Sequence, residues 1–174
     1  RVDFEIEIGG AAGQGIATPG NIMVRVFARR GLSINAYNAY QSIIRGGHTF
    51  LTIRASDRPI GNINTKYDVL IPLNQDTMDR HLGLMKAGST VLFDGESIEP
   101  GTAAEGVQLC PLPMKELTGG NKLGGNMVAL FATLRLFGLE LLALEDAVTL
   151  QFRKKWEEVI ACNAEFASAG YEYA

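Results

Sequence analysis

The feature that most constrains this chain is its opening, an alternating strand that runs into a glycine-rich turn and then a helix. Phe4, Ile6 and Ile8 alternate with Asp3, Glu5 and Glu7, a period of two that predicts a strand with one covered face. Gly9-Gly10-Ala11-Ala12-Gly13-Gln14-Gly15 follows. The next helix is expected from Thr18 to Arg30, with Ile22, Met23, Val26 and Phe27 on one stripe. Thr18 suits the N-cap and Pro19 the first helical position, where its missing N–H costs nothing. Gly31 is a natural stop.

Ser33 to Gln41 reads as a second strand, a parallel neighbour reached by the helix crossover. Gly46-Gly47 breaks the chain, and His48 to Ala55 reads as a further strand. Val69 to Pro72 predicts a short apolar strand, followed by a helix from Asp76 to Ala87. Val91-Leu92-Phe93 and Val107 to Cys110 predict two more strands. From Asn126 the pattern turns helical, with Met127, Val128, Leu130, Phe131, Leu134 and Phe137 forming a broad apolar face that ends at Gly138. Two more helices are expected, at Leu144 to Trp156 and Asn163 to Ala169. Gly119-Gly120 and Gly124-Gly125 mark a loop. Short apolar strands alternating with helices imply a single Rossmann-like α/β domain across 1–174, a mainly parallel twisted sheet with helices on both faces. There is no internal repeat.

Composition narrows the function classes. At 47% hydrophobic and 20% charged the chain suits a globular domain. Cys110 and Cys162 are isolated, which fits a reducing, cytoplasmic setting and neither a disulfide scaffold nor an iron–sulfur site. No apolar run is long enough to span a membrane, and no signal-like segment opens the sequence. The start at Arg1 and the stop at Ala174 lead us to expect a piece of a longer chain. From Ile8 to Ser56 there is no acid, while Arg25, Arg29, Arg30, Arg45 and Arg54 fall in that window. The window therefore carries +5, and the rest of a chain of net −3 carries −8. A local basic patch on an acidic protein suggests a specific anionic ligand and not nucleic acid. Arg29 and Arg30 can equally offset a helix dipole.

Two segments are candidate sites. The turn brings bare backbone N–H groups and a helix N-terminus towards a ligand. Gly10 and Gly15 have the spacing of a P-loop, but Ile16 and Ala17 stand where Lys and Ser/Thr are needed, so an NTPase is rejected. Gly13-Gln14-Gly15-Ile16-Ala17-Thr18 falls one residue short of the dinucleotide fingerprint, and no acid follows strand two to hold a ribose, which argues against NAD. A tight turn without a ligand is the alternative. The second segment, Tyr40-Gln41-Ser42-Ile43-Ile44-Arg45-Gly46-Gly47, is expected on the same rim. Ser42 offers a hydroxyl and Arg45 a fork that matches phosphate. Tyr37 and Tyr40 can flank an adenine ring, although packing is the expectation for each alone. His48 and His81 read as lone structural residues, Asn74 and Asp76 as helix caps, and Asp94 as a rim residue or turn former. Lys122 and Asn126 read as parts of a solvated loop.

These segments resemble the gamma-type domain of 2-oxoacid:ferredoxin oxidoreductases. That family has a glycine-rich turn like this one, then a segment like Gln41-Ser42-x-x-Arg45-Gly46-Gly47, then Arg54-Ala55-Ser56 and Pro59-Ile60. It also has a strand like Asp68-Val69-Leu70-Ile71 and an Asn-led helix like Asn126-Met127-Val128-Ala129-Leu130. Ala11-Ala12 and Pro19 depart from its pattern. The tail from residue 161 is similar to the junction at which some relatives continue into the alpha-type domain, as in the fused subunit of 2-oxoglutarate enzymes. The resemblance implies a part of an enzyme that decarboxylates a 2-oxoacid, passes electrons to ferredoxin and the acyl group to coenzyme A. It implies that thiamine diphosphate, Mg and iron–sulfur clusters sit on alpha- and beta-type partners, since this chain lacks the diphosphate motif and clustered cysteines. Coenzyme A would meet Gly10, Gly13, Gln14, Gly15, Thr18, Tyr40, Ser42, Arg45 and Gly46. No catalytic or metal-binding residue is expected here. A docking scaffold without a ligand stays open as the alternative, and the particular 2-oxoacid is not legible.

Overall fold

A computed structural model describes residues 2–40, 47–62, 66–121, 124–138 and 168–173. The alternation at the start of the sequence becomes β1 (Asp3–Ala11), which leads through the turn into α1 (Ala17–Arg29). Then come β2 (Ser33–Tyr40), β3 (His48–Ser56) and β4 (Tyr67–Pro72). Next are α2 (Gln75–His81), a 3-10 turn at Leu82–Leu84, and β5 (Met85–Asp94). β6 (Gln108–Leu112), α3 (Met114–Leu117) and α4 (Gly125–Leu136) follow. The strands form one sheet in the order β2-β3-β1-β4-β5-β6. β1, β4, β5 and β6 pair in parallel, and β3 runs antiparallel to both β1 and β2.

The mainly parallel α/β sheet expected from the sequence is present, with two revisions. First, β2 is not the neighbour of β1. β3 lies between them, pairing Ser56 with Asp3 on one side and with Ser33 on the other. The connection from β2 to β3 is too short for a helical crossover, so the two strands must pair antiparallel, and β3 takes the place beside β1. Second, β1 is covered on both faces. Ile6 and Ile8 join Leu51, Ile53, Val69, Ile71 and Leu92 in a core under α1 and α4. On the other face Leu70, Val91 and Phe93 meet Met78, Leu82 and Ile98 around α2. Glu5 and Glu7 point to that second face and are 1% and 0% exposed.

Local chemistry explains the element ends. The helix α1 starts before Thr18, with Ile16 at the N-cap and no side-chain cap. Pro19 thus sits third in the helix, still within the first turn, where backbone N–H groups lack partners. Gly20 lets α1 ride on β3, since an added Cβ would stand 2.0 Å from Leu51 Cδ2. Asn74 caps α2, its Oδ1 accepting from Thr77 N at 2.9 Å. The helix expected to run to Ala87 ends at His81, because Met85 is claimed by the ladder opposite Tyr67. Pro111 is tolerated in β6 because that strand is an edge. From Met127 to Leu134 α4 is buried on every side, not on one face. Phe137 beyond it stacks on Phe4 at 4.3 Å between centroids. Residues 168–173 are helical, and Gly170 packs so closely on α4 that an added Cβ would lie 2.2 Å from Val128 O. The helix expected at Leu144 to Trp156 lies outside the described residues.

Candidate functional site

The glycine-rich turn stands at the carboxyl end of β1. Two of its glycines have left-handed backbone, Gly13 at φ 97° and Gly15 at φ 77°, a conformation glycine adopts without a steric penalty. Gln14 between them folds back. Its Oε1 accepts from Ala11 N at 2.6 Å, and its Nε2 donates to Leu73 O at 3.3 Å. Gly10 makes room for this, since a Cβ there would meet Gln14 Oε1 at 2.5 Å. Asn126, at the start of α4, donates through Nδ2 to Gln14 O at 2.5 Å. Ala12 N donates to Gly47 O at 2.8 Å. One short turn is thereby tied to the residues flanking β4 and β3 and to α4, from 35 to 112 positions away in sequence.

The connections diverge at this point. β1 leads through α1 towards one edge of the sheet, and β4 leads through α2 towards the other. Open α/β sheets hold ligands at such a switch point, at the carboxyl ends of the strands. A cleft of about 770 Å³ opens there, lined by Gly13, Gln14, Leu73, Asp94, Lys115 and Asn126 among others. Its volume lies within the usual range of small-molecule sites. A smaller cleft of about 290 Å³ lies across the turn, against Ala11, Ile16, Ala17, Asn38 and Thr49. Gly13 lines both.

Among the described residues the arginines of the acid-free window do not converge on the turn, and Arg45 lies outside them. Arg54 lies at the far end of the sheet, where its Nε and Nη2 donate to Asp3 at 3.0 and 2.9 Å and its Nη1 to Asn62. Arg25, Arg29 and Arg30 are exposed on α1, which leads away from the turn. In the larger cleft Asp94 accepts from Glu96 N and Ser97 Oγ, and Glu96 accepts from Lys115 N. That end of the cleft is acidic. Asp94 is therefore both a rim residue and a turn former.

Of the residues singled out in the sequence, Gly10, Gly13, Gln14, Gly15 and Thr18 come together at the turn. Gln14 has its side chain spent on holding the loop, and Thr18 is inside α1 instead of capping it. Tyr40 ends β2 on the same rim. Ser42, Arg45, Gly46 and Lys122 lie outside the described residues. Tyr37 is 54% exposed, so it does not pack as expected. Asn126 is a strut of the turn and not a solvated loop residue. His48 and His81 are not lone, because their Nε2 atoms approach to 2.8 Å beneath the rim.

Known proteins share this fold. The chain is similar to the ketoisovalerate oxidoreductase subunit VorA of Methanothermobacter marburgensis, at 25% identity over 99% of this chain and 37% of that one. It is also similar to the 2-oxoglutarate synthase subunit KorC of Archaeoglobus fulgidus, at 25% identity over 91% of this chain and 84% of that one. Among solved structures, it superposes on the 2-oxoglutarate:ferredoxin oxidoreductase of Magnetococcus marinus, a structure with 2-oxoglutarate, coenzyme A and succinyl-CoA bound. The TM-score is 0.89 at 28% identity, over 100% of this chain and 32% of that one. It matches the keto/oxoacid ferredoxin oxidoreductase gamma subunit of Geobacter sulfurreducens with a TM-score of 0.79 at 26% identity, over 99% of this chain and 96% of that one. The chain thus spans about a third of VorA and of the Magnetococcus chain, and nearly all of a gamma subunit. With the family profile matching residues 5–173, the chain belongs to the pyruvate ferredoxin/flavodoxin oxidoreductase family.

Proposed function

We propose that this chain is the non-thiamine, non-iron–sulfur part of a 2-oxoacid:ferredoxin oxidoreductase. It contributes to coenzyme A binding and to subunit assembly while a 2-oxoacid, 2-oxoglutarate in preference, is decarboxylated to an acyl-CoA. The observation that carries this reading is the cleft at the switch point, roofed by a turn that presents bare backbone beside a helix N-terminus. The Magnetococcus structure with coenzyme A bound supports the ligand. Its 2-oxoglutarate, and the 2-oxoglutarate synthase name of KorC, support the substrate preference.

The charge pattern orients the ligand. Asp94 and Glu96 outweigh Lys115 and disfavour a phosphate at their end of the large cleft. The anionic ADP end therefore belongs against the Gly13–Thr18 turn with Tyr40, Ser42, Arg45 and Gly46, and the neutral pantetheine arm belongs in the cleft. Bound coenzyme A supplies the thiol that accepts the acyl group. This chain's part is to hold that thiol in place, which converts an encounter into an intramolecular step. Thiamine diphosphate, Mg and the clusters belong to alpha- and beta-type partners in a cytoplasmic complex, with ferredoxin as the acceptor of the whole.

Calorimetric titration of the intact complex with coenzyme A tests this, alongside Arg45→Ala and Gly15→Ala variants. Saturable binding that both variants weaken is expected. Binding untouched by either would move the site elsewhere, and no heat at millimolar ligand would leave a docking scaffold.

A further inference from the structure

Beneath the turn lies a chain of buried polar side chains that ligand binding does not use. Glu7 of β1 is fully buried, and His48 and His81 are 7% and 6% exposed. Glu7 Oε1 meets His81 Nδ1, and Glu7 Oε2 accepts from Thr52 Oγ1 at 3.3 Å. The His81 and His48 Nε2 atoms are 2.8 Å apart, with ring centroids at 5.0 Å. At the other end His48 Nδ1 faces Asp76 Oδ2 at 3.4 Å, and the half-exposed Asp76 also pairs with Arg80 at 2.8 Å.

The hydrogens available define the Nε2 contact. Two Nε2 atoms at 2.8 Å share one hydrogen, so one of them must be the acceptor and carry none. Two imidazoliums set N–H against N–H, and the contact cannot form. Glu7 Oε1, His48 Nδ1 and His81 Nδ1 are buried without a hydrogen-bond partner among the described residues, so the Nε2 contact alone joins the two rings.

The pair is wired to the turn. His48 opens β3 opposite Ala11, and the carbonyl of the preceding Gly47 holds Ala12 N at 2.8 Å. His81 closes α2, and Thr77 of the same helix sits so near β1 that a Cβ on Gly9 would approach its Cγ2 to 2.4 Å. We propose that the His48–His81 contact latches α2 and the start of β3 to the glycine-rich turn, and that one further proton, which leaves hydrogen on both Nε2 atoms, drives the rings apart and loosens the turn. The surrounding groups set when this happens. Glu7 from β1 and Asp76 from α2 favour the extra proton, while Arg80 from α2 and burial oppose it. Tyr67 of β4 faces Glu7 and stays a neutral donor, its phenol raised well above the ordinary range by burial and by that carboxylate. His48 is held below the ordinary 6.5, by burial first and by His81 next. The transition thus falls on the acid side of neutrality, whatever the turn binds.

The test needs no ligand. Imidazole nitrogen NMR and amide exchange are followed on the intact protein from about pH 8 to about pH 5. At the neutral end one of the two Nε2 atoms should carry no hydrogen. A further uptake should follow in acid, accompanied by a fall of about tenfold in the protection of the Ala12 amide relative to Ile71, corrected for intrinsic rates. Asp76→Asn, at the half-exposed end where folding is safe, should move that step to lower pH. His48→Gln should abolish it. Hydrogen on both Nε2 atoms at the neutral end, an acid step that leaves Ala12 protection unchanged, or an Asp76→Asn step that does not move would each overturn the proposal.

Discussion

Gly13→Ala and Gly15→Ala form a matched pair that tests the turn directly. Both positions have positive φ, so each alanine carries a left-handed backbone cost of about 1–2 kcal/mol. The loss of freedom in the unfolded chain returns about 0.4–1 kcal/mol. Gly13 has no described atom within 4 Å of an added Cβ, so its net cost should stay near 1 kcal/mol. At Gly15 the new methyl stands 3.3 Å from Asn126 Nδ2. Asn126 must then give way and weaken its 2.5 Å bond to Gln14 O, which adds about 0.5–1.5 kcal/mol. Gly15→Ala should therefore cost about 1 kcal/mol more than Gly13→Ala, or roughly 2–4 °C in melting temperature for a domain of this size. Thermal and urea denaturation at neutral pH measure both. Introducing Asn126→Ala beside each variant completes the cycle, and the excess at Gly15 should vanish when Asn126 is gone. Equal costs at the two glycines, or an excess that survives Asn126→Ala, would refute the strut that joins α4 to the turn.

Other expectations follow from the same geometry. Glu7→Leu leaves buried His81 Nδ1 without the carboxylate it faces and should destabilise by about 1–3 kcal/mol, part of it recovered in Glu7→Leu/His81→Leu, as read by urea denaturation. Because His48 is held below 6.5 in the folded state, the unfolded chain binds more protons in that range. Its contribution is full above pH 6.5 and declines as pH falls through the folded value, so His48→Gln should flatten the acid limb of a stability–pH curve. Arg54→Ala should leave coenzyme A titrations unchanged, since Arg54 pairs with Asp3 at the end of the sheet away from the turn. Burial raises the Cys110 thiol, so its alkylation by iodoacetamide near neutral pH should be slower than that of a small-molecule thiol.

The turn was legible in the sequence because glycines, a strand period and a helix period are local signals. The glycine pattern marks a strand-to-helix turn, and Gly13 and Gly15 within it have left-handed backbone. The apolar stripe of α1 was legible for the same reason. What the sequence hid was pairing. Nothing in Ser33–Tyr40 or His48–Ser56 says which of them lies beside β1, because either register would bury the same alternate residues. The roles of Gln14 and Asn126 were hidden too, since a polar residue beside a glycine turn reads equally well as ligand contact or as strut. Glu5 and Glu7 alternate with isoleucines in the manner of a solvated face, and only the placement of α2 over that face reveals them as buried. His48 and His81 are 33 positions apart, so their contact belongs to tertiary packing alone. A signal was available in retrospect: the glutamate at position 7 stands on the strand that becomes the centre of the sheet, where a charge needs a partner.

The reversed strand is what joins these observations. In an all-parallel sheet every strand reaches the ligand rim by its carboxyl end and begins at the opposite edge. Here β3 runs the other way, so its first residues arrive at the rim. That places Gly47 against Ala12 and His48 directly beneath the turn, within reach of α2 on the second face. The two faces of the sheet thereby take different duties. The face under α1 and α4 is a continuous apolar core that fixes the turn through Ile16 and Asn126. The face under α2 carries Glu7, His48 and His81, and through them a proton can act on the same loop. A variant that kept the apolar core intact but removed the histidine pair would separate the two, leaving a turn that is correctly built and no longer answers to pH.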